Sequence, residues 1–169
     1  MTDEHPNIAL LKQLDFRHLD RATELFAEDF VWHFFNPGLP DVEGDYFGLS
    51  GLQTFLGKMV TLTEGTFDVE PISVTAVGDE LLVMHNKNRM MVQGRSVETD
   101  VVVVWRIVGG RFTEVWDIPS VYAAHVQNPK TRQRPACRSI ASAVVRPLTG
   151  IRSVKEAAVV HENGGDGFQ

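Results

Sequence analysis

A chain of 169 residues, 43% hydrophobic and 22% charged, is long enough for one domain with a real core and has the composition of neither a disordered nor a membrane protein. No apolar run approaches the ~20 residues of a spanning helix, and Asp3 and Glu4 stand where a secretory leader would be basic, so a cytoplasmic protein with no membrane partner is expected. The net charge of −6 is unevenly spread: residues 1–128 hold 9 Lys and Arg against 19 Asp and Glu, while residues 129–169 hold 7 against 3, which argues against a nucleic-acid ligand for the acidic body and sets a boundary near Asn128-Pro129.

Residues 7–27 read as two short helices, the first carried by Ile8, Leu11 and Leu14, the second by Leu19, Ala22, Leu25 and Phe26. The run Phe30 to Phe35 is aromatic and β-branched and is stopped by Asn36-Pro37-Gly38, so it reads as a strand. A loop rich in Gly, Pro and Asp follows. Ser50 with Gln53 three residues on forms a capping box, opening a helix whose apolar face is Leu52, Phe55, Leu56 and Met59 and which Gly65 closes.

From Thr66 the period becomes that of strands. Four are expected, over 66–77, 80–92, 95–108 and 111–122, joined by tight turns at Gly78-Asp79, Gln93-Gly94 and Gly109-Gly110. Helices first and a long meander after give an α+β fold, a curved antiparallel sheet packed on N-terminal helices. The domain is expected over 1–128. Residues 129–169 form a basic extension interrupted by Pro129, Pro135 and Pro147, partly disordered, with a loose end from Glu162 to Gln169 and a short strand or helix within Ser139 to Val145.

The turns fix a geometry. With a two-residue turn at Gln93-Gly94, His85 lies opposite Val102; with another at Gly109-Gly110, Asp117 lies opposite Val102 as well. A one-residue bulge in both hairpins shifts both to Val103. Under either arrangement His85 and Asp117 share a row and a face, ~10 Å apart, where they could act on opposite ends of one ligand or share a proton through water. The alternative is a packed histidine and a solvated carboxylate.

The segments Leu25 to His33, Gly44 to Gly51 and Val104 to Asp117 (VWRIVGGRFTEVWD), in that order with a helix and strands between them, resemble the SnoaL-like branch of the nuclear-transport-factor-2-like superfamily over roughly residues 5–125. The branch is related to polyketide cyclases, ketosteroid isomerase and limonene-epoxide hydrolase. The resemblance implies a cone around an apolar pocket, a homodimer formed through the outer sheet face, and acid–base chemistry without a cofactor. Asp117 matches an acid on the last strand of the cyclases and the epoxide hydrolase. The base of ketosteroid isomerase falls at Phe34, its oxyanion-donating Asp at Val103, and the hydrolase arginine at Val101, so neither reaction carries over whole.

The same matching puts Trp32, Phe34, Val101, Val103, Trp105 and Val115 on the pocket wall, with Phe55 and Met59 from the helix. His33 alternates away from Trp32 and Phe34 and joins them only if a bulge turns it. Tyr46 either reaches the mouth of the cone or anchors its loop. An apolar cavity would push the Asp117 pKa upward. Cys137, the single cysteine, allows no internal disulfide, and six scattered histidines lack ligand spacing, so no metal or cofactor is expected.

The expected function is therefore a cofactor-independent acid–base enzyme of cyclase, isomerase or hydratase/dehydratase type. Its substrate is a small, mostly apolar molecule bearing a carbonyl or hydroxyl, with Asp117 moving the proton and His85 assisting. The alternative is a non-catalytic small-molecule-binding or dimerisation domain of the same fold.

Overall fold

Three hairpins organise the chain. The computed structural model describes residues 4–122, 125–127, 144–145 and 152–153. Two strands and a helix come first, β1 (Phe26–Phe34), β2 (Gly44–Phe47) and α2 (Gly48–Leu62), preceded by α1 (Pro6–Leu11). The meander is β3 (Asp68–Val77), β4 (Leu81–Val92), β5 (Arg95–Val108) and β6 (Arg111–Pro119). In space the strands run β2-β1-β6-β5-β4-β3, a curved, unclosed sheet with α2 packed against β1 and β2. The expected α+β architecture stands.

The sheet is not wholly antiparallel as expected. β1 runs parallel to β6, pairing Trp32 with Val115 and Phe34 with Asp117; every consecutive pair of the meander is antiparallel. This places the first strand beside the last, so residues far apart in sequence meet on one concave surface.

Local chemistry departs from expectation at two places. The second N-terminal helix is replaced by two 3-10 turns, Leu19–Arg21 and Thr23–Leu25, because Phe26 already joins the sheet opposite Phe112. Helix α2 begins at Gly48 with no side-chain cap. Strand β2 runs straight into it through Gly48 at φ +65°, a conformation that suits glycine, so Ser50 falls inside the first turn and the capping box does not form. At the other end the Gly65 amide, at φ +71°, donates to the Val60 carbonyl at 2.9 Å.

The turn Gln93-Gly94 is a two-residue turn with positive φ at both positions, and His85 pairs with Val102 as expected. Gly109-Gly110 is a turn of the same kind, but the register slips by one residue between Arg106 and Ile107, with Thr113 the extra residue of β6. Phe112 and Val115, three apart, are therefore both fully buried, which an unbroken strand could not achieve.

The core fills the concave side: Phe30, Leu52, Leu82, Trp105, Phe112 and Val115 have no exposed surface. Buried Asn7 closes it at one end, donating from Nδ2 to the Asp79 carbonyl at 2.8 Å and so tying α1 to the β3–β4 turn.

Among the described residues three short strands lie beyond the meander. β7 (His125–Gln127) pairs with the start of β5, and β8 (Val144–Val145) and β9 (Arg152–Ser153) run parallel to β3. The other expectations for the basic extension, the loose end from Glu162 and the environment of Cys137 among them, lie outside the described residues.

Candidate functional site

The concave face is a set of rows crossing the strands. One row is Trp32, Val115, Trp105 and Leu82; the next is Phe34, Asp117, Val103 and Met84; the next contains Pro119, Val101 and Asn86; beyond it Thr99 pairs with Asn88 and then Val97 with Met90. Facing them is Phe55 of α2, whose ring centroid lies 5.4 Å from that of Trp32 and 5.0 Å from that of Phe34.

Two cavities open on this surface. The first, about 260 Å³, is lined by Trp32, Phe55, Met84, Asn86, Val103 and Trp105, and walled on its far side by the segment Leu11 to Arg17. Phe16 of that segment packs edge-on against Trp32 at 6.1 Å. The second, about 190 Å³, is lined by Phe34, Met59, Met90, Val97, Thr99 and Val121. Asp117 and Asn88 border both, together with Phe55, Phe67 and Val101.

Asp117 is buried, and its Oδ1 has no hydrogen-bond partner. Burial alone, with no cation to offset it, pushes its pKa up from 3.8 to about 7. A carboxyl group poised there both donates and accepts a proton near neutrality. The cavities it borders are mostly apolar, with Lys12, Gln13, Asp15 and Arg17 in the lining of the first and Asn36 and Thr99 in that of the second. Asn86 and Asn88 are buried with unpartnered Oδ1 atoms, and the indole nitrogens of Trp32 and Trp105 are unpartnered as well.

His85 is not in the site. It pairs with Val102, whereas Asp117 pairs with Val103. Only the second hairpin is bulged, so the two side chains leave opposite faces of the sheet. The His85 ring is at the surface, its Nε2 2.8 Å from Asp100 Oδ1. It stands in a polar strip with Lys87, which pairs with Glu98, and Arg89, which bridges Glu98 and Glu70.

His33 also keeps to the outer face. Its Nδ1 lies 2.6 Å from Asp45 Oδ1 and its Nε2 3.0 Å from Glu114 Oε1, with the ring stacked on Trp116. Partial burial pulls the His33 pKa down, but its hydrogen bonds to Asp45 and Glu114 outweigh this and leave it raised. Tyr46 is a loop anchor: its buried hydroxyl donates to the Val42 carbonyl, and Lys58 Nζ sits 5.3 Å from its ring centroid. Val115 is fully buried beneath the cavity surface and borders neither cavity.

Trp32, Phe34, Phe55, Met59, Val101, Val103, Trp105 and Asp117 do line one cavity or both. Missed in the sequence were Asn86 and Asn88. Their signal was parity: Leu82, Met84 and Met90 share their side of β4, so two amides at intervening even positions had to face inward. Among the described residues no three His, Cys, Asp or Glu side chains are grouped as metal ligands, and no helix is long and apolar enough to cross a membrane.

Comparison with known proteins agrees with this geometry. Residues 9–115 match the model of the SnoaL-like domain family. No curated protein matches the chain. Among solved structures, Bal32a from a soil-derived mobile gene cassette is 22% identical with a TM-score of 0.61, over 70% of this chain and 92% of its own. TerC, co-crystallised with polyporic acid, is 24% identical with a TM-score of 0.57, covering 70% and 94%. An NTF2-like protein of unknown function from Burkholderia pseudomallei is 21% identical with a TM-score of 0.58, covering 70% and 94%. At these identities the likenesses speak for the fold alone, an NTF2-like cone, while the family match over most of the described residues is direct: the chain belongs to the SnoaL-like domain family.

Proposed function

We propose that the protein is a cofactor-independent acid–base catalyst acting on a small, mostly apolar molecule that carries a carbonyl or hydroxyl, by cyclisation, isomerisation, hydration or dehydration. Asp117 is the proton-transfer group. The observation that carries this reading is a buried carboxyl with an unpartnered oxygen and a pKa raised to about 7, at the border of two apolar cavities. A carboxylate with only a structural role would be expected to hold a cation or several donors. Family membership and the likeness to TerC, a structure obtained with polyporic acid, support a ligand-holding cone.

In this mechanism neutral Asp117 donates a proton to a carbonyl or leaving hydroxyl, or its ionised form removes one from carbon. Walls such as Trp32, Phe34, Trp105 and Val101 exclude water and hold the substrate by apolar burial, about 25 cal/mol per Å². His85, on the opposite face, takes no part. The test is Asp117→Asn, with turnover and binding measured on a compound identified by native mass spectrometry of the protein against a metabolite extract. Turnover lower by ~10²–10⁴-fold with affinity retained supports the catalyst. A compound that emerges unchanged from the wild type supports the non-catalytic binder instead.

Self-association through the outer sheet face is part of the same proposal. Val102 and Ile118 are directly paired there and exposed, at 41% and 45%, an apolar spot flanked by the His85–Asp100 pair. Light scattering is expected to give a dimer for the wild type and a monomer for Val102→Glu; a wild-type monomer would end this part of the reading.

A further inference from the structure

The two cavities are not alternatives for one ligand. Five residues border both, Phe55 and Phe67 on one side and Asp117, Val101 and Asn88 on the sheet, and form the neck between them. Away from the neck the first chamber is bounded by Trp32, Met84, Val103 and Trp105, and the second by Phe34, Met59, Met90 and Val97. Lys12, Gln13, Asp15 and Arg17 line only the first chamber and Asn36 and Thr99 only the second, while two polar side chains stand where the chambers join. Asn88 and Asp117 are both more than nine-tenths buried, at 8% and 9% exposure, and each has an unpartnered side-chain oxygen. Asn86, one residue pair along β4 and 3% exposed, extends the amide ladder into the first chamber.

Burying an amide oxygen without a partner costs about 1–3 kcal/mol for each unmet group, so a chain that keeps two side by side among Met84 and Met90 has them for a purpose outside its own packing. A ligand that brings a donor to the neck removes that cost at the oxygen it reaches.

We propose that Asn88, aided by Asn86, is a specificity-determining residue, and that the ligand is an elongated molecule, uncharged at its centre, whose two apolar arms fill separate chambers and whose hydroxyl lies between them at the neck, donating to Asn88 Oδ1 and within reach of Asp117. This deepens the acid–base reading by naming the shape of its substrate: the reacting group is central, not terminal. A negative charge at the neck is disfavoured, because the cations of the lining, Lys12 and Arg17, border only the first chamber and Asp117 becomes anionic as the pH rises.

Four simple compounds test it on the full chain by equilibrium dialysis. Diphenylmethanol has two phenyl arms and a central donor; benzophenone has the arms with a central acceptor only; diphenylmethane has the arms without the oxygen; 1-phenylethanol has the hydroxyl with one arm. Diphenylmethanol is expected to bind at least tenfold more tightly than diphenylmethane or 1-phenylethanol, and more tightly than benzophenone, which cannot donate to Asn88 Oδ1. Val97→Phe, which fills the second chamber, should weaken diphenylmethanol at least tenfold and leave 1-phenylethanol within twofold. Asn88→Leu should erase the preference for diphenylmethanol over diphenylmethane, with Asn88→Met as a second apolar replacement and circular dichroism as the check that each variant folds.

Equal binding of diphenylmethane and diphenylmethanol, indifference to Val97→Phe, or no binding of any of the four would overturn the proposal. Its failure is separable from that of the catalytic reading. Asp117→Asn bears on turnover, whereas the ranking of the four compounds bears on the chambers and the amides.

Discussion

His33 and Trp116 lie face to face on the outer surface of the sheet, ring centroids 5.6 Å apart and planes inclined by 18°. Arg106 lies over the same indole, 4.9 Å from its centroid, and reaches Glu114, which also bonds His33. Through Asp45 the imidazole ties edge strand β2 to β1, and through Glu114 it ties β1 to β6. Because the folded-state pKa of His33 lies above the ordinary 6.5, its contribution is complete below that value and is lost as pH climbs through the raised one. Thermal melts of wild type and His33→Gln should therefore differ most near pH 6 and converge by pH 9. A constant difference across that range would mean that the ring stabilises by packing alone.

The opposite slope is expected from Asp117. Its native pKa of about 7 lies above the 3.8 of an unperturbed carboxyl, so between those values the folded state holds a proton that the unfolded chain releases. Stability therefore declines as pH rises from about 4 to 7, by roughly 1.4 kcal/mol per unit of difference at most. Asp117→Asn removes that slope and is expected to be more stable than wild type at pH 8 by roughly 2–4 kcal/mol. Urea unfolding of both proteins at pH 4.5 and 8 measures it, and parallel pH profiles would show that the carboxyl ionises freely.

Two glycines of α2 should answer the same substitution with opposite signs. A Cβ on Gly51 would stand 2.8 Å from the Tyr46 carbonyl carbon, backbone that cannot swing aside, whereas Gly57 has nothing within 4 Å. Gly57→Ala should stabilise by roughly 0.5–1 kcal/mol from helix propensity. Gly51→Ala should destabilise by roughly 1–3 kcal/mol as α2 is pushed off β2. Chemical denaturation curves of the pair give the comparison.

Leu82 is fully buried in the row with Trp105 and Val115. Leu82→Ala is expected to cost about 2–5 kcal/mol, read as a lowered denaturation midpoint.

Much of this architecture was legible before any coordinates. Glycine-bearing turns bound β4 and β5 to within a residue of where they lie, and the inward set Val101, Val103 and Trp105 came with the resemblance to the SnoaL-like branch. His85 failed for a reason that is local. Its partner Val102 was right, and the error lay in giving both hairpins the same register. The spacing of Phe112 and Val115, three apart and both apolar, carried the sign of the bulge. The parallel pairing of β1 with β6 left no mark in the sequence, since it joins segments some 80 residues apart and depends on closure of the whole sheet. Burial of Asn86 and Asn88 was hidden by their polarity, which composition-based reasoning sends to solvent.

Thr113 has a consequence for how such a protein changes over generations. Deleting that one codon would remove the bulge and leave Glu114 opposite Arg106 and Asp117 opposite Val103, with the same side chains facing inward. Descent within this architecture can therefore gain or lose a residue there without moving the interior acid, so kinship of chemistry is better judged by which side chain stands opposite Val103 than by counting positions from Phe112.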